Sequence, residues 1–260
     1  MKNVFNAVVI TLALIVAYSV YFFVLGAPSN FKGGDITQPV NTLGMIYTGG
    51  PLVGLLLACL LLAITFSIER MLSINKARGT GDVALFIKRC IELIGEGKID
   101  EAIAECDKQR GSVANILRAG LERFKQVEND PEYDAEKKLS EVQRAIDEAT
   151  NLEIPLLEKN LVILSTLASI STMIGLLGTT VGMIRAFRAL GESGGTVSAQ
   201  QLSIGISEAL YNTAGGLAAA IISIVAFNFF TTRVDNFVYM IDEAILSMME
   251  LLTVRVKEVA

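Results

Sequence analysis

The stretch GLLGTTVGMIRAF (Gly175–Phe187), read with ISEALYNTAGGLAAAI (Ile206–Ile221), decides how this chain folds. Both lie in uncharged runs: no Asp, Glu, Lys or Arg occurs from Asn160 to Ile184 or from Ala209 to Thr232. A helix needs roughly 20 apolar residues to cross a hydrocarbon layer of about 30 Å, and each run is long enough. Small or hydroxylated residues recur in the first at Ala168, Thr172, Gly175, Thr179, Gly182 and Ala186. The second repeats the device at Gly205, Ala209, Thr213, Gly216, Ala220 and Ser223. Steps of three and four put each set on one helical face. Lipid does not favour such a stripe, whereas a neighbouring helix does, because small residues let backbones approach closely. Gly175, Gly182, Ala209, Gly216 and Ala220 are therefore expected at helix–helix contacts. Thr179 and Thr213 sit near the middle of the stripes, and two readings stay open for them. Their hydroxyls either bond local backbone carbonyls and help packing, or line a hydrated path through an oligomer.

Working outward, 52% of the residues are hydrophobic and the mean hydropathy is +0.52, distributed in blocks. That pattern is that of an integral membrane protein in contact with the lipid bilayer. The net charge of −5, with no basic cluster interleaved with aromatics, argues against nucleic-acid binding. Histidine is absent, which removes the commonest general base and metal ligand. No metal site, no cofactor and no enzymatic activity is expected. Cys59, Cys90 and Cys106 form no CxxC pair and are read as packing residues in a reducing compartment.

The run Val4–Leu25 is read as a retained transmembrane helix, because its apolar core is longer than that of a signal peptide and no A-x-A site follows it. Gly26–Gly50 has the Gly, Pro, Asn and Thr content of a loop. Pro51 opens the next span, which ends at Glu69-Arg70. Fifteen of the 22 Lys and Arg lie between Arg70 and Lys159, and one between Leu25 and Pro51. By the positive-inside rule the middle region is cytoplasmic and Gly26–Gly50 external.

Helical periodicity marks the middle region in Val83, Phe86, Ile87, Cys90 and Ile94, then in Ile99, Ile103 and Cys106. A third helix is expected over Val113–Val127, and a fourth from Ala135 with Leu139, Val142, Ile146 and Leu152 on one face. Pro155 either kinks this helix or marks a restart. Val234, Phe237, Ile241, Ile245 and Met248 carry a helical stripe past the last span.

The expected fold is all-α, with four transmembrane helices, both termini inside the cell and a helical cytoplasmic domain. The expected divisions are an N-terminal transmembrane helix at 1–26, an external loop at 27–50, a transmembrane helix at 51–72 and a cytoplasmic helical domain at 73–160. Transmembrane helices at 161–187 and 204–232 follow, joined by an external turn at 188–203, with a cytoplasmic helical tail at 233–260.

Glu208 is the one acidic residue embedded in either core helix. An intramembrane carboxylate is costly and is by default a functional candidate. The alternative is a headgroup-level carboxylate paired with Arg185 or Arg188 across the turn. Five positions at 100° each put Thr213 about 140° from Glu208, so different neighbours are expected to meet the two groups. No Asp, His or Lys lies in any expected span. If the chain conducts protons, the carrier at mid-membrane must therefore come from a second polypeptide.

These residues resemble those of the MotA/TolQ/ExbB proton-channel family, most closely its ExbB and TolQ branch. The resemblance rests on GLLGTTVGMIRAF, on ISEALYNTAGGLAAAI with Asn228 following, and on Glu69-Arg70. It covers roughly Pro51 to Thr232. It implies a homo-pentamer in the inner membrane whose last two spans line a pore. An ExbD- or TolR-like single-span partner would supply an intramembrane Asp there, and proton flow would drive motion passed to a TonB- or TolA-like protein. The family's pore threonines and glutamate fall on Thr179, Thr213 and Glu208. Two features depart from the family: Thr172 and Ile222 stand where many ExbB-like proteins have proline, implying straighter helices, and Val4–Leu25 is additional to the three-span core. The alternative reading is a non-conducting membrane scaffold that recruits partners through its cytoplasmic helices.

Overall fold

The computed structural model describes residues 2–192 and 199–259, with side chains for 6–191 and 202–257. All regular structure among the described residues is helical, apart from one isolated bridge between Phe31 and Pro39. Nine α-helices are described: α1 (Lys2–Ser19), α2 (Thr42–Tyr47), α3 (Pro51–Arg78), α4 (Val83–Gly95), α5 (Ile99–Gln109), α6 (Ser112–Val127), α7 (Ala135–Glu158), α8 (Leu161–Glu192) and α9 (Ala199–Val259). Four stretches are long and apolar enough to cross a membrane. The chain divides into two compact units, one of residues 1–68 and 160–228, the other of 69–159 and 229–260.

In the first unit, α1 buries Ala13, Ala17 and Tyr21 at intervals of four and exposes Val8, Leu12 and Ile15. Such exposed apolar side chains suit a helix with lipid on one side, while its small residues meet protein. The helix continues as a π-turn through Val20–Leu25. Asn30 is buried beside that end and donates to the carbonyls of Val24 (2.7 Å) and Leu25 (2.9 Å), which have no partner within the helix. Its own side-chain oxygen accepts from Asn41 (2.9 Å), and Asn41 caps α2 by accepting from the amide of Gly44 (2.9 Å). Tyr47 stacks on Tyr21 at 4.7 Å. The 27–50 segment, expected as a loop, is thus an ordered structure built from short helices and side-chain hydrogen bonds to backbone.

The second unit packs α4–α7 and the last part of α9 around Phe86, Cys90, Cys106, Leu117, Leu121, Phe124, Val142 and Ile146. Asp82 and Asp134 cap α4 and α7 through their first free amides. Gly120 of α6 lies against Ile146 and Met248, and a Cβ there would stand 2.8 Å from each. Cys90 and Cys106 are buried neighbours, and the hydrogen bond between them and burial push the Cys106 thiol up. Arg70 is 1% exposed, bonds Glu69 at 2.6 Å and donates to the Leu157 carbonyl at 3.1 Å. That carbonyl belongs to the last turn of α7, where backbone acceptors are unpaired and a cation is favoured.

Several expectations change. The span expected at 51–72 is a helix to Arg78. The helix of α7 runs through Pro155, and the break falls instead at Lys159–Asn160, where Asn160 takes φ 65°. Asn is one of the few residues that tolerate that left-handed conformation. The turn expected at 188–203 is helical at both ends, since α8 reaches Glu192 and α9 starts at Ala199. The rest of it, 193–198, lies outside the described residues. The helical stripe expected past the last span is continuous with it, since α9 is one helix of 61 residues. Leu152 is 73% exposed: six residues past Ile146 is about 120° off its face. Ala244 takes the buried position expected for Ile245.

Candidate functional site

The helices α8 and α9 meet along their small residues. A Cβ on Gly216 would lie 2.7 Å from the carbonyl oxygen of Ser171 and 2.8 Å from the Cα of Gly175. One on Gly182 would lie 2.8 Å from the backbone nitrogen of Ala209, and one on Gly205 would lie 2.7 Å from the Cβ of Ala186. The two glycine-bearing faces therefore pack on each other within a single chain. Ala220 lies farther along α9 and is partly exposed.

The buried faces keep four of the six expected positions on each helix and shift by one residue at the other two. On α8 the run of buried residues is Ala168, Ser171, Gly175, Gly178, Gly182 and Ala186; on α9 it is Gly205, Ala209, Asn212, Gly216, Ala219 and Ser223. Thr179 and Thr213 thus stand at the margin of the seam, each partly exposed. Their hydroxyls lie 2.9 Å apart. Both also reach the Gly175 carbonyl, Thr179 at 3.2 Å and Thr213 at 3.4 Å. The structure brings these two candidates together, and it does so at the edge of the helix pair.

Glu208 is 6% exposed. Of the two arginines weighed for it, Arg185 on α8 forms the ion pair, with its own side chain 54% exposed. Glu208 and Thr213 face different surroundings, as their angular separation required. Thr213 meets Thr179 and Gly175, whereas Glu208 meets Arg185 and the backbone just before α3. At Gly50 the chain takes φ 77°, and a Cβ would fall 2.9 Å from Glu208 Oε1. Only glycine fits that conformation at that distance without strain.

Sequence reasoning missed Asn212. It is 1% exposed, and its side-chain nitrogen donates to the carbonyls of Gly49 (2.7 Å) and Glu208 (3.0 Å). A polar residue in an uncharged membrane run was the available signal, and the threonine one position on drew the attention instead.

With this geometry in place, a model of the MotA/TolQ/ExbB proton channel family matches residues 108–243, more than half of the chain. The chain belongs to the MotA/TolQ/ExbB proton channel family. It is 38% identical over 124 residues to the Tol-Pal system protein TolQ of Pseudomonas aeruginosa, covering 46% of this chain and 52% of that one. It is 41% identical over 113 residues to the TolQ of Haemophilus influenzae, covering 44% and 48%. A putative biopolymer transport protein ExbB homolog of Methanothermobacter thermautotrophicus is 26% identical over 196 residues, covering 75% of this chain and 65% of its own. The matches span about half the length of each TolQ. As a member of this proton channel family, the chain holds Thr179, Glu208, Asn212 and Thr213 all within the matched region.

Proposed function

We propose that this chain is an ExbB- or TolQ-like subunit of an inner-membrane proton channel, with both termini in the cytoplasm. It works with an ExbD- or TolR-like single-span protein whose intramembrane Asp carries the proton. Together they convert proton motive force into mechanical work on a TonB- or TolA-like protein. Five copies surround the partner's helices, with α8 and α9 toward the pore and Thr179, Thr213 and Glu208 along the proton path.

The observation that carries this reading is the Thr179–Thr213 hydroxyl pair, polar and partly exposed between the uncharged runs of two helices. Hydroxyls there can solvate a proton carrier but cannot titrate, and no Asp, His or Lys lies in 6–25, 51–68, 161–184 or 209–228. A protonatable group supplied by a partner completes such a path. A second reading, a non-conducting scaffold, draws on the same geometry, because the two hydroxyls already satisfy each other and Gly175. Proton flux through vesicles reconstituted with the chain, with and without its single-span partner, separates the two. Flux that requires both proteins supports the channel, and absence of flux with both present in intact oligomer favours the scaffold.

A further inference from the structure

We infer that Asn212 is a positioning residue that latches the backbone at Gly49–Gly50 over Glu208, so that the segment before α3 forms one wall of the glutamate's site. Three observations converge on it. The amide of Asn212 lies against Gly178 of α8, where a Cβ would collide with the Asn212 side chain, so the bare backbone of Gly178 makes room for the planar amide. Next, both groups facing its nitrogen are carbonyl oxygens, those of Gly49 and Glu208. Carbonyls only accept, so the NH2 must point at them, and the orientation of the amide is settled by chemistry. Finally, the residue after the latch point, Gly50, brings bare backbone against the Glu208 carboxylate.

The amide oxygen is buried and, among the described residues, has no hydrogen-bond donor. An unmet buried acceptor carries a cost, so this residue is not there for packing alone: an apolar side chain of similar size would avoid that cost. What the amide provides is a donated bond from α9 to the Gly49 carbonyl, 163 positions away in sequence, beside a second to the Glu208 carbonyl of its own helix. The latch thereby closes one side of Glu208 and leaves Arg185 as its charged partner. The inference rests on the channel reading for its consequence in transport and not for its geometry.

The test measures the reactivity of Glu208 in full-length protein in membranes, using dicyclohexylcarbodiimide and mass spectrometry of the peptide that contains it. Asn212→Ala removes the latch, and Asn212→Leu nearly keeps the volume while removing both donors without adding a second carboxyl. Each should leave the oligomer intact and modify Glu208 roughly tenfold faster, about what the loss of one to two net hydrogen bonds produces. Unchanged reactivity in both overturns the latch, whatever proton flux does. Loss of flux in Thr179→Val with normal Glu208 reactivity would bear on the channel alone. Should the Asn212 variants fail to assemble, Gly50→Ala tests the same wall from its other side and should also speed modification. Hydrogen exchange on the unaltered protein gives an independent reading. The latch requires slow exchange over residues 49–53, and exchange there as fast as at Gly33–Gly34 overturns it.

Discussion

The hydroxyl oxygen of Thr179 on α8 lies 2.9 Å from that of Thr213 on α9, and both also reach the carbonyl of Gly175. The contact sits at the rim of a seam closed by glycine, alanine and serine together with Asn212. Thr179→Val or Thr213→Val keeps the branched shape and removes one hydroxyl. In the channel reading each single variant loses most proton flux while the oligomer persists on a native gel. An apolar wall raises the cost of ionising a partner's Asp beside it. The double variant discriminates further. With both hydroxyls gone neither is left unpaired, so its stability should match or exceed the singles, with a coupling of about 1 kcal/mol in a double-mutant cycle. Normal flux in all three leaves packing as the role of this pair.

The packing of glycine on glycine yields a graded series. Gly216→Ala forces a Cβ into the Ser171 carbonyl and the Gly175 backbone, and a backbone cannot move aside as a flexible side chain can. The expected loss is about 1–3 kcal/mol, read as a lower thermal midpoint in detergent. Gly215→Ala, whose nearest neighbour is a Leu56 methyl at 3.4 Å, and Gly191→Ala, with nothing within 4 Å, should change little. Because α8 and α9 belong to one chain, Gly175→Leu and Gly216→Leu should unfold the subunit before they weaken the oligomer. Equal stability across the series would contradict this packing.

The ion pair of Arg185 and Glu208 is unevenly buried, at 54% and 8% side-chain exposure, so its two halves should behave differently on deletion. Arg185→Met strands a buried carboxylate without its counter-charge. Breaking a fully buried pair in this way costs about 3–5 kcal/mol, and the half-exposed arginine puts this case toward or below the lower bound. Glu208→Gln leaves an arginine that water and headgroups can solvate, and should be milder in stability. Thermal unfolding of both variants and the double variant checks the order, and the reverse order would contradict the burial assigned here. Proton flux in Glu208→Gln then reads the electrostatic role separately.

Orientation follows from where the Lys and Arg are concentrated. A reporter fused near Gln38 or near Gly194 should report on the side of the membrane away from the cytoplasm, and one near Asn129 in the cytoplasm. Finding Asn129 outside would invert the proposed topology and the direction of the proton path with it.

Much of this architecture follows from the sequence alone, because hydropathy, charge bias and helical period are properties of short stretches. The uncharged runs at 160–184 and 209–232 and the helix starting at Ala135 need no tertiary partner to be legible. The small-residue stripes were legible as helix contacts but not at every position. A helix of 3.6 residues per turn lets neighbouring positions serve the same stripe, and only docking chose Ser171, Gly178, Asn212 and Ala219 for the buried side. The tertiary structure likewise chose Arg185 over Arg188 for Glu208 and brought Gly49 to Asn212. Such bonds depend on the axial and angular register between separate elements, which no periodicity within one element encodes. The break falls at Asn160 and not at Pro155 for a local reason. Proline removes one hydrogen bond that a helix can survive, whereas a left-handed residue ends the helical run, and Asn is among the few that tolerate it.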